Sequence, residues 1–364
     1  MCIIFIHDLD FWFLFFITDF FYLGCPFINL CTSKVASLWF NQDQTALANS
    51  IMSLSIPLGF MLAYILGTEV VTSSSKSGFT IITTVYTIII SIGTVLTTIF
   101  LKYPHGSFKG TPRIPPSEAS TKPQMMFFES LKKLVVNKYY WIHFLGSTAS
   151  IGYFLVLAVN TTLILCPLGF SQNFSSIDSI TYEIISGFIA GLLISIFIQK
   201  TYKSTFFNTP FILWTARILL SIYALNLWFL MAAFTTRFTT AGYDLAIPAF
   251  IILGVTGMPL LPISFEIAIE TSFPAGQATS TGFLWIFGQA WAFVFTLIIN
   301  GLKTTNFPEN WGSDYQNNSC ANGNGSTEEN YYYKTPLIVL ASVCTIFVLV
   351  WLVGMRCKFL RRNS

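Results

Sequence analysis

Charged side chains are scarce in this chain. Asp, Glu, Lys and Arg make up 10% of its 364 residues, whereas they make up about a quarter of an average globular protein. Between them lie uncharged, mostly apolar runs, each long enough to cross a hydrocarbon core of roughly 30 Å as a helix. A soluble protein could not solvate so much apolar surface. The scarcity of charge therefore excludes the soluble classes and indicates an all-α polytopic membrane protein embedded in a lipid bilayer.

Several chemical patterns are also missing. The three histidines, His7, His105 and His143, are isolated in the sequence, and no metal-ligand spacing occurs. Neither a His-Glu-x-x-His nor a Gly-x-Ser-x-Gly motif is present, so we predict no catalytic residues, metal or cofactor, and no enzyme. No basic cluster interleaved with aromatic residues lies outside juxtamembrane positions, which argues against nucleic acid as a partner.

Start and stop signals predict nine transmembrane helices. They lie near residues 11–33, 44–68, 79–101, 139–166, 180–199, 208–235, 244–269, 278–301 and 335–355. The fifth has only 16 uncharged residues after Glu183, so we expect Asp178 to Glu183 in an exposed turn. The sixth contains Arg217 near one end, from which a long side chain reaches the headgroups.

The distribution of Lys and Arg predicts the orientation. With the segment 102–138 in the cytoplasm, 14 of the 19 basic residues are cytoplasmic and four are external. The sequons at Asn173, Asn317 and Asn324 then lie on the external side, as glycosylation requires. Asn160 also begins a sequon, but it lies within a helix, where we expect no modification. Cys166 lies near an external helix end, so a bridge to Cys320 in the external loop is conceivable.

The chain divides into four parts. Residues 1–101 form a first group of three helices, 102–138 a Pro-rich cytoplasmic linker, 139–357 a six-helix bundle, and 358–364 a basic cytoplasmic tail. The linker ends in MMFFESLKKLVV, which predicts an amphipathic helix on the inner membrane surface. A cytoplasmic linker between two helical bundles is typical of major facilitator transporters, which normally have six plus six helices. The arrangement here is a partial major facilitator fold, three plus six.

Specific segments resemble the feline leukaemia virus subgroup C receptor-related family of major facilitator transporters (solute carrier family 49). Residues 33–63, with their Ala-Ser-x-Trp-Phe turn and later Pro-Leu-Gly, are similar to its fourth-to-fifth helix junction. The most specific match is GMPLLPISFEIAIETSFPAGQATSTGFLWIFGQ, residues 257–289, which resembles its tenth-to-eleventh helix signature. The linker residues Pro115, Pro116 and Ser117 also match. The similarity covers about residues 24–300, so the first bundle corresponds to the family's helices four to six, which suggests an N-terminally truncated chain rather than a carrier with nine helices.

The resemblance implies a set of binding residues. Gln289 aligns with the family's substrate-contacting glutamine, and the partner glutamine on the fifth helix is replaced by Pro57. The family's seventh-helix aromatic corresponds to Tyr153 or Phe154, whose ring faces would attract an ammonium group, with Asn160 two turns on. An interhelical hydrogen bond at Gln289 and simple packing of the aromatics are the alternatives. The lost glutamine puts a choline-like substrate in doubt.

Other residues suit gating or packing. Glu266 and Glu270, four residues apart, share one helix face, where they form either a gating or proton-coupling pair or a structural ion pair, with Arg217 as a candidate partner. Gly187, Gly191, Gly254, Gly257 and Gly282 suit close helix packing. Pro57, Pro248, Pro259 and Pro262 predict breaks in their helices, which a gate would use.

We therefore expect transmembrane transport of a small organic solute by alternating access. The resemblance implies a choline- or ethanolamine-like, haem-related or vitamin-like substrate. The alternative is a truncated isoform that does not transport, or a regulatory membrane protein that pairs with a full-length relative. No acidic dileucine signal is evident, which favours the plasma membrane over the lysosome.

Overall fold

The computed structural model describes residues 32–36, 38–40, 44–70, 76–101, 125–171, 174–201, 205–206, 209–235, 240–305 and 331–356. These residues are almost entirely helical. The helices are α1 (Thr45–Val70), α2 (Lys76–Leu101), α3 (Phe127–Val136), α4 (Lys138–Leu165), α5 (Ser179–Lys200), α6 (Phe211–Thr235), α7 (Thr240–Ser272), α8 (Gln277–Leu302) and α9 (Lys334–Gly354). A 3₁₀ turn at Cys166–Leu168 extends α4, and a π-helical turn at Phe174–Asp178 leads into α5. Two short antiparallel strands, β1 (Thr205–Phe206) and β2 (Thr209–Pro210), join α5 to α6.

Seven helical segments within the described residues are long and apolar enough to cross a membrane. They correspond to α1 and α4 to α9, whereas α2 contains a shorter apolar stretch, Ile81–Leu96. The chain is thus an all-α polytopic membrane protein, as its composition predicts. The predicted helix near 11–33 lies almost wholly outside the described residues, so the predicted total of nine is not tested.

The helices contain many Ser and Thr residues and several prolines that lipid would be expected to exclude. Many of the hydroxyls are satisfied within their own helix, since Thr148 donates to the Phe144 carbonyl at 2.7 Å and Ser150 to the Gly146 carbonyl at 2.8 Å. The prediction that the prolines break their helices is wrong. Helix α1 continues through Pro57, and α7 continues through Pro248, Pro259 and Pro262. Each proline removes one N–H donor, and packing against neighbouring helices makes that loss tolerable in a membrane.

Helices α4 to α9 pack into one bundle. Helix α5 packs along α7, α8 along α4, and α9 fits between α4 and α6. The bundle is also joined by hydrogen bonds around the buried His143 of α4. Trp351 of α9 donates to its Nδ1 atom at 2.9 Å, so the proton is on Nε2, which donates to the Ser264 carbonyl of α7 at 2.8 Å. His143 therefore connects three helices.

Glycine residues allow the closest helix contacts in the bundle. A Cβ atom on Gly254 would collide with the carbonyl of Glu183, and one on Gly187 would lie 2.6 Å from the sulfur of Met258. Helices α5 and α7 therefore meet almost backbone to backbone. The close packing predicted for these glycines is present.

Helix α1 packs against α5 and α7, and α2 contacts α1. Leu54 of α1 is buried against Gly191 of α5, where a Cβ atom would lie 2.7 Å from the leucine side chain. Nearby, the Ser195 hydroxyl donates to that of Ser50 at 2.7 Å. Apolar and polar contacts thus join α1 to the bundle along the same face of α5.

The short helix α3 is attached to the junction between α7 and α8. The Ser130 hydroxyl accepts from the Gly276 N–H at 2.9 Å. Asn137, which follows α3, caps α4 by accepting from Tyr139 and Tyr140, and its amide donates to the Thr271 carbonyl at 2.7 Å. Phe128 and Val136 are largely exposed on the other side of α3.

Candidate functional site

A cavity of about 470 Å³ lies between α1 and the bundle. That volume is in the range of small-molecule sites, which are mostly apolar with a few oriented polar groups. One side, called the α1 wall here, consists of Leu54, Ile56, Pro57, Phe60 and Ala63. The opposite side, called the bundle wall, combines apolar residues with Ser147, Ser150, Glu183, Tyr223, Ser264 and Trp285. Every polar side chain that lines this cavity among the described residues therefore belongs to the bundle.

Several polar groups of the bundle wall already have partners. The Tyr223 hydroxyl donates to the Ser150 carbonyl at 3.0 Å, and the Ser264 carbonyl accepts from His143. The Ser147 hydroxyl lies 3.3 Å from Nδ1 of His143. These hydrogen bonds fix the orientations of the side chains in the wall. The donor groups that make them are not available to another acceptor.

Glu183 and Trp285 differ from these residues. Both carboxylate oxygens of Glu183 and the indole N–H of Trp285 are buried without a hydrogen-bond partner in the part of the chain that the structure describes. Glu183 is only 1% exposed. An isolated ionised carboxylate costs several kcal/mol to bury, so an unpartnered one beside a cavity calls for a physical explanation.

The position of Glu183 corrects the expectation that it lies in an exposed turn. Asp178 is exposed at the end of the π-helical turn, but Glu183 lies more than one turn further along, within α5. The length of the apolar run after Glu183 argues against an exposed turn there, because 16 residues span only about 24 Å as a helix, which is less than the thickness of a hydrocarbon core. The membrane segment therefore has to include the glutamate.

Aromatic rings form much of the bundle wall beside Glu183. Phe154 and Tyr223 pack over Gly257, where a Cβ atom would lie 2.9 Å from the Phe154 ring and 3.3 Å from the Tyr223 ring. The indole of Trp285 lies in the same wall, held against Phe265 at 6.4 Å between ring centroids. Aromatic faces and a carboxylate in one cavity are complementary to a cationic group.

The predicted binding residues separate into two groups. Phe154 lines the cavity, whereas Tyr153 is fully buried behind it, edge-on to Tyr223 at 6.5 Å. Asn160 is buried and donates to the Val156 carbonyl of its own helix at 2.9 Å, outside the lining. Gln289 lies on an exposed face of α8, also outside the lining. The structure thus brings Phe154, but not Asn160 or Gln289, to Glu183's cavity.

The predicted gating residues lie elsewhere. Glu266 and Glu270 are buried near the end of α7, on the side of α3. Arg217 donates from Nη2 to the Met355 carbonyl at 2.8 Å and lies over the Trp214 ring at 5.2 Å. Among the described residues, its contacts therefore attach α6 to the end of α9, and none joins it to the two glutamates.

Features of the loops fall partly outside the described residues. The sequons at Asn173, Asn317 and Asn324 all lie there, and so does Cys320. Cys166 is disulfide-bonded, and its partner is also outside the described residues. Cys344 is a free, buried cysteine within α9. No group of three or more potential metal ligands occurs among the described residues.

Comparison with known proteins gives several relatives. An uncharacterized protein of Caenorhabditis elegans is 30% identical over 278 residues, covering 76% of this chain and 51% of the relative. Solute carrier family 49 member A3 of Xenopus tropicalis is 26% identical, covering 92% and 64%, respectively. A choline/ethanolamine transporter of Homo sapiens is 25% identical, covering 76% and 50%. No family model matches the chain. The chain spans between about half and two thirds of the length of these curated relatives.

Proposed function

This chain belongs to the feline leukaemia virus subgroup C receptor-related family, solute carrier family 49, and from that premise we propose that it carries a small organic solute across a membrane by alternating access. The named relatives are transporters rather than enzymes. The observation that carries the proposal is the cavity between α1 and the bundle. In carriers of this architecture, solute binds between two helical groups that rock about the site.

The asymmetry between the two walls supports this mechanism. The bundle wall supplies oriented polar groups, whereas the α1 wall is apolar. Helix α1 could therefore move away from a bound solute without breaking a hydrogen bond to it. Movement of α1 relative to the bundle would open the cavity to one side. The solute is a choline- or ethanolamine-like, haem-related or vitamin-like molecule under this proposal, with Phe154 in contact with it.

The proposed orientation has the 102–138 segment in the cytoplasm. The excess of Lys and Arg on that side supports it. The disulfide at Cys166, at the opposite end of α4, supports it independently, because disulfides persist on the oxidising side of a membrane. We propose the plasma membrane as the location, which surface biotinylation of the expressed chain tests.

Uptake by liposomes containing the full chain tests the proposed function. Labelled choline, ethanolamine and pyridoxine are supplied outside, and saturable uptake above that of protein-free liposomes is expected for at least one of them. Ala63→Phe, which fills the cavity from the α1 wall, is expected to abolish this uptake. The control Ala290→Phe places the same side chain on an exposed face of α8 and should leave uptake unchanged. Equal uptake by the two variants would contradict the assignment of the cavity.

A further inference from the structure

The bundle wall contains an acceptor that the protein itself does not satisfy. Glu183 is buried within the membrane-spanning part of α5 and lines the cavity, and neither of its oxygens has a hydrogen-bond partner among the described residues. Carboxylates are rarely buried in that state unless a cation or a donor joins them. A partner supplied from outside the protein would remove the conflict.

Neighbouring side chains in the wall are poor candidates for that partner. Tyr223 already donates to Ser150, and the Ser150 hydroxyl donates to Gly146. His143, which does not line the cavity, donates through Nε2 to Ser264 and accepts from Trp351. The donors of Tyr223, Ser150 and His143 are thus committed to bonds within the bundle. The indole N–H of Trp285 in the same wall has no partner among the described residues, and it makes no hydrogen bond to Glu183. The cavity beside Glu183 is therefore the direction from which a donor arrives.

We propose that Glu183 determines the specificity of the site, because it accepts an ion-paired hydrogen bond from a solute that carries a protonated amine with at least one N–H group. This inference rests on the proposed function, since it takes the cavity to be the solute site. The rings of Phe154, Tyr223 and Trp285 surround the same cavity and attract the positive charge through their faces. The carboxylate adds a directional requirement that aromatic faces alone do not impose.

That requirement separates two kinds of organic cation. A quaternary ammonium group has no N–H, so it gains the Coulomb attraction of Glu183 at a longer distance and leaves both acceptors unpaired. A primary, secondary or tertiary ammonium group satisfies at least one oxygen. Because hydrogen bonds to charged groups contribute strongly in a dry site, affinity should fall most at the step that removes the last N–H.

Ethanolamine, its N-methyl and N,N-dimethyl derivatives, and choline provide the probes. Along this series, each step replaces one N–H group on the cation with an N-methyl group. Equilibrium binding to the full chain in lipid nanodiscs is measured for each. We expect choline to bind roughly 10-fold more weakly than N,N-dimethylethanolamine. Glu183→Gln should weaken ethanolamine binding by roughly 10- to 100-fold and reduce the differences between the four probes, because an amide oxygen accepts a hydrogen bond but carries no charge. The control Asp178→Asn alters an exposed carboxylate five residues earlier and should match the unmodified protein.

A second measurement needs no variant. Dicyclohexylcarbodiimide labels carboxyl groups within membranes, and mass spectrometry locates the labelled residue. Ethanolamine should protect Glu183 from this reagent, and choline at the same concentration should protect it far less. This protection experiment tests the role of Glu183 in binding even if Glu183→Gln fails to fold.

Two results would overturn the inference. Equal affinities for all four probes in the unmodified protein would show that no group in the site accepts a hydrogen bond from the ammonium N–H. Unchanged ethanolamine binding by folded Glu183→Gln would show that the glutamate is a structural group. If liposomes take up solute while either result holds, the carrier proposal stands and this inference fails. If the expected binding pattern holds without uptake, the binding site stands and the carrier proposal fails.

Discussion

The two walls of the cavity differ in both chemistry and packing. The bundle wall contains all of the cavity's polar side chains among the described residues, on helices that touch almost backbone to backbone at Gly187 and Gly254. The α1 wall is apolar, and at Gly59 of the same helix nothing lies within 4 Å of where a Cβ atom would be. The bundle wall thus has the cavity's polar groups on closely packed helices, whereas the α1 wall is apolar and is closely packed at Leu54 but not near Gly59.

This difference suggests how recognition and movement are divided. Close packing fixes the directions of Glu183 and its aromatic neighbours, which a selective site requires. An apolar surface moves past a solute without breaking hydrogen bonds, which suits the part that would shift in the proposed alternating-access cycle. Each prediction below changes one position and compares it with a matched position elsewhere in the molecule.

The largest effect is expected from glycine substitutions. Gly254→Ala places a methyl group against the Glu183 carbonyl and 2.5 Å from the Ser186 hydroxyl. The backbone cannot move aside as the end of a flexible side chain can. We therefore expect the free energy of unfolding to fall by about 2 to 3 kcal/mol. Gly59→Ala meets open space and should leave stability unchanged or raise it by up to about 1 kcal/mol. Thermal unfolding of both variants in detergent is the measurement, and equal losses would mean that the walls are packed alike.

Two phenylalanines on opposite walls provide the next comparison. Phe154 is held over Gly257 in the bundle wall, whereas Phe60 of the α1 wall is 47% exposed. We expect Phe154→Ala to weaken the binding of an organic cation about 10-fold, because it removes an oriented aromatic face. Phe60→Ala should weaken it no more than about threefold. Calorimetric titration of both variants measures the change in affinity. A larger loss of affinity for Phe60→Ala would mean that the α1 wall, and not the bundle wall, recognises the cation.

Much of this fold was predictable from charge alone. Lipid forces the backbone to satisfy its own hydrogen bonds, so an uncharged run of sufficient length has few alternatives to a helix. The spacing of Gly187 and Gly191 likewise predicts a close helix contact. Prolines were misread, because α7 accommodates three of them without a break. A proline removes one N–H donor from its helix. Whether the helix breaks at that point depends on its packing against neighbouring helices, which the sequence does not specify.

The cavity itself was not predictable, because it depends on helix rotation. Tyr153 and Phe154 are adjacent aromatics, and the sequence does not reveal that one packs inside the bundle while the other lines the cavity. Glu183 was missed for a related reason. Charged residues served to mark helix ends, so a charge inside a membrane segment shifted the predicted boundary instead of marking a site.

A smaller effect is expected from adding a polar group to the α1 wall. The family resemblance aligns position 57 with a partner glutamine, and Pro57 lines the cavity here. Pro57→Gln offers one amide to the solute, so we expect choline to bind about threefold more tightly. Pro57→Ala, which removes the proline without adding an amide, is the control and should leave affinity unchanged. Equal changes in the two variants would attribute the effect to the helix backbone.

The smallest effect is expected outside both walls, at Gln289. Its alignment with a substrate-contacting glutamine predicts a role in binding, but its side chain lies on an exposed face of α8, away from the cavity. We therefore expect Gln289→Ala to change solute affinity by less than about twofold. Trp285→Phe, one turn earlier on the same helix, removes an indole N–H from the bundle wall and should have the larger effect. Both variants are compared by equilibrium binding in nanodiscs. A loss of about 10-fold at Gln289 with none at Trp285 would mean that solute binds along the exposed face of α8 and that the cavity beside α1 is not the site.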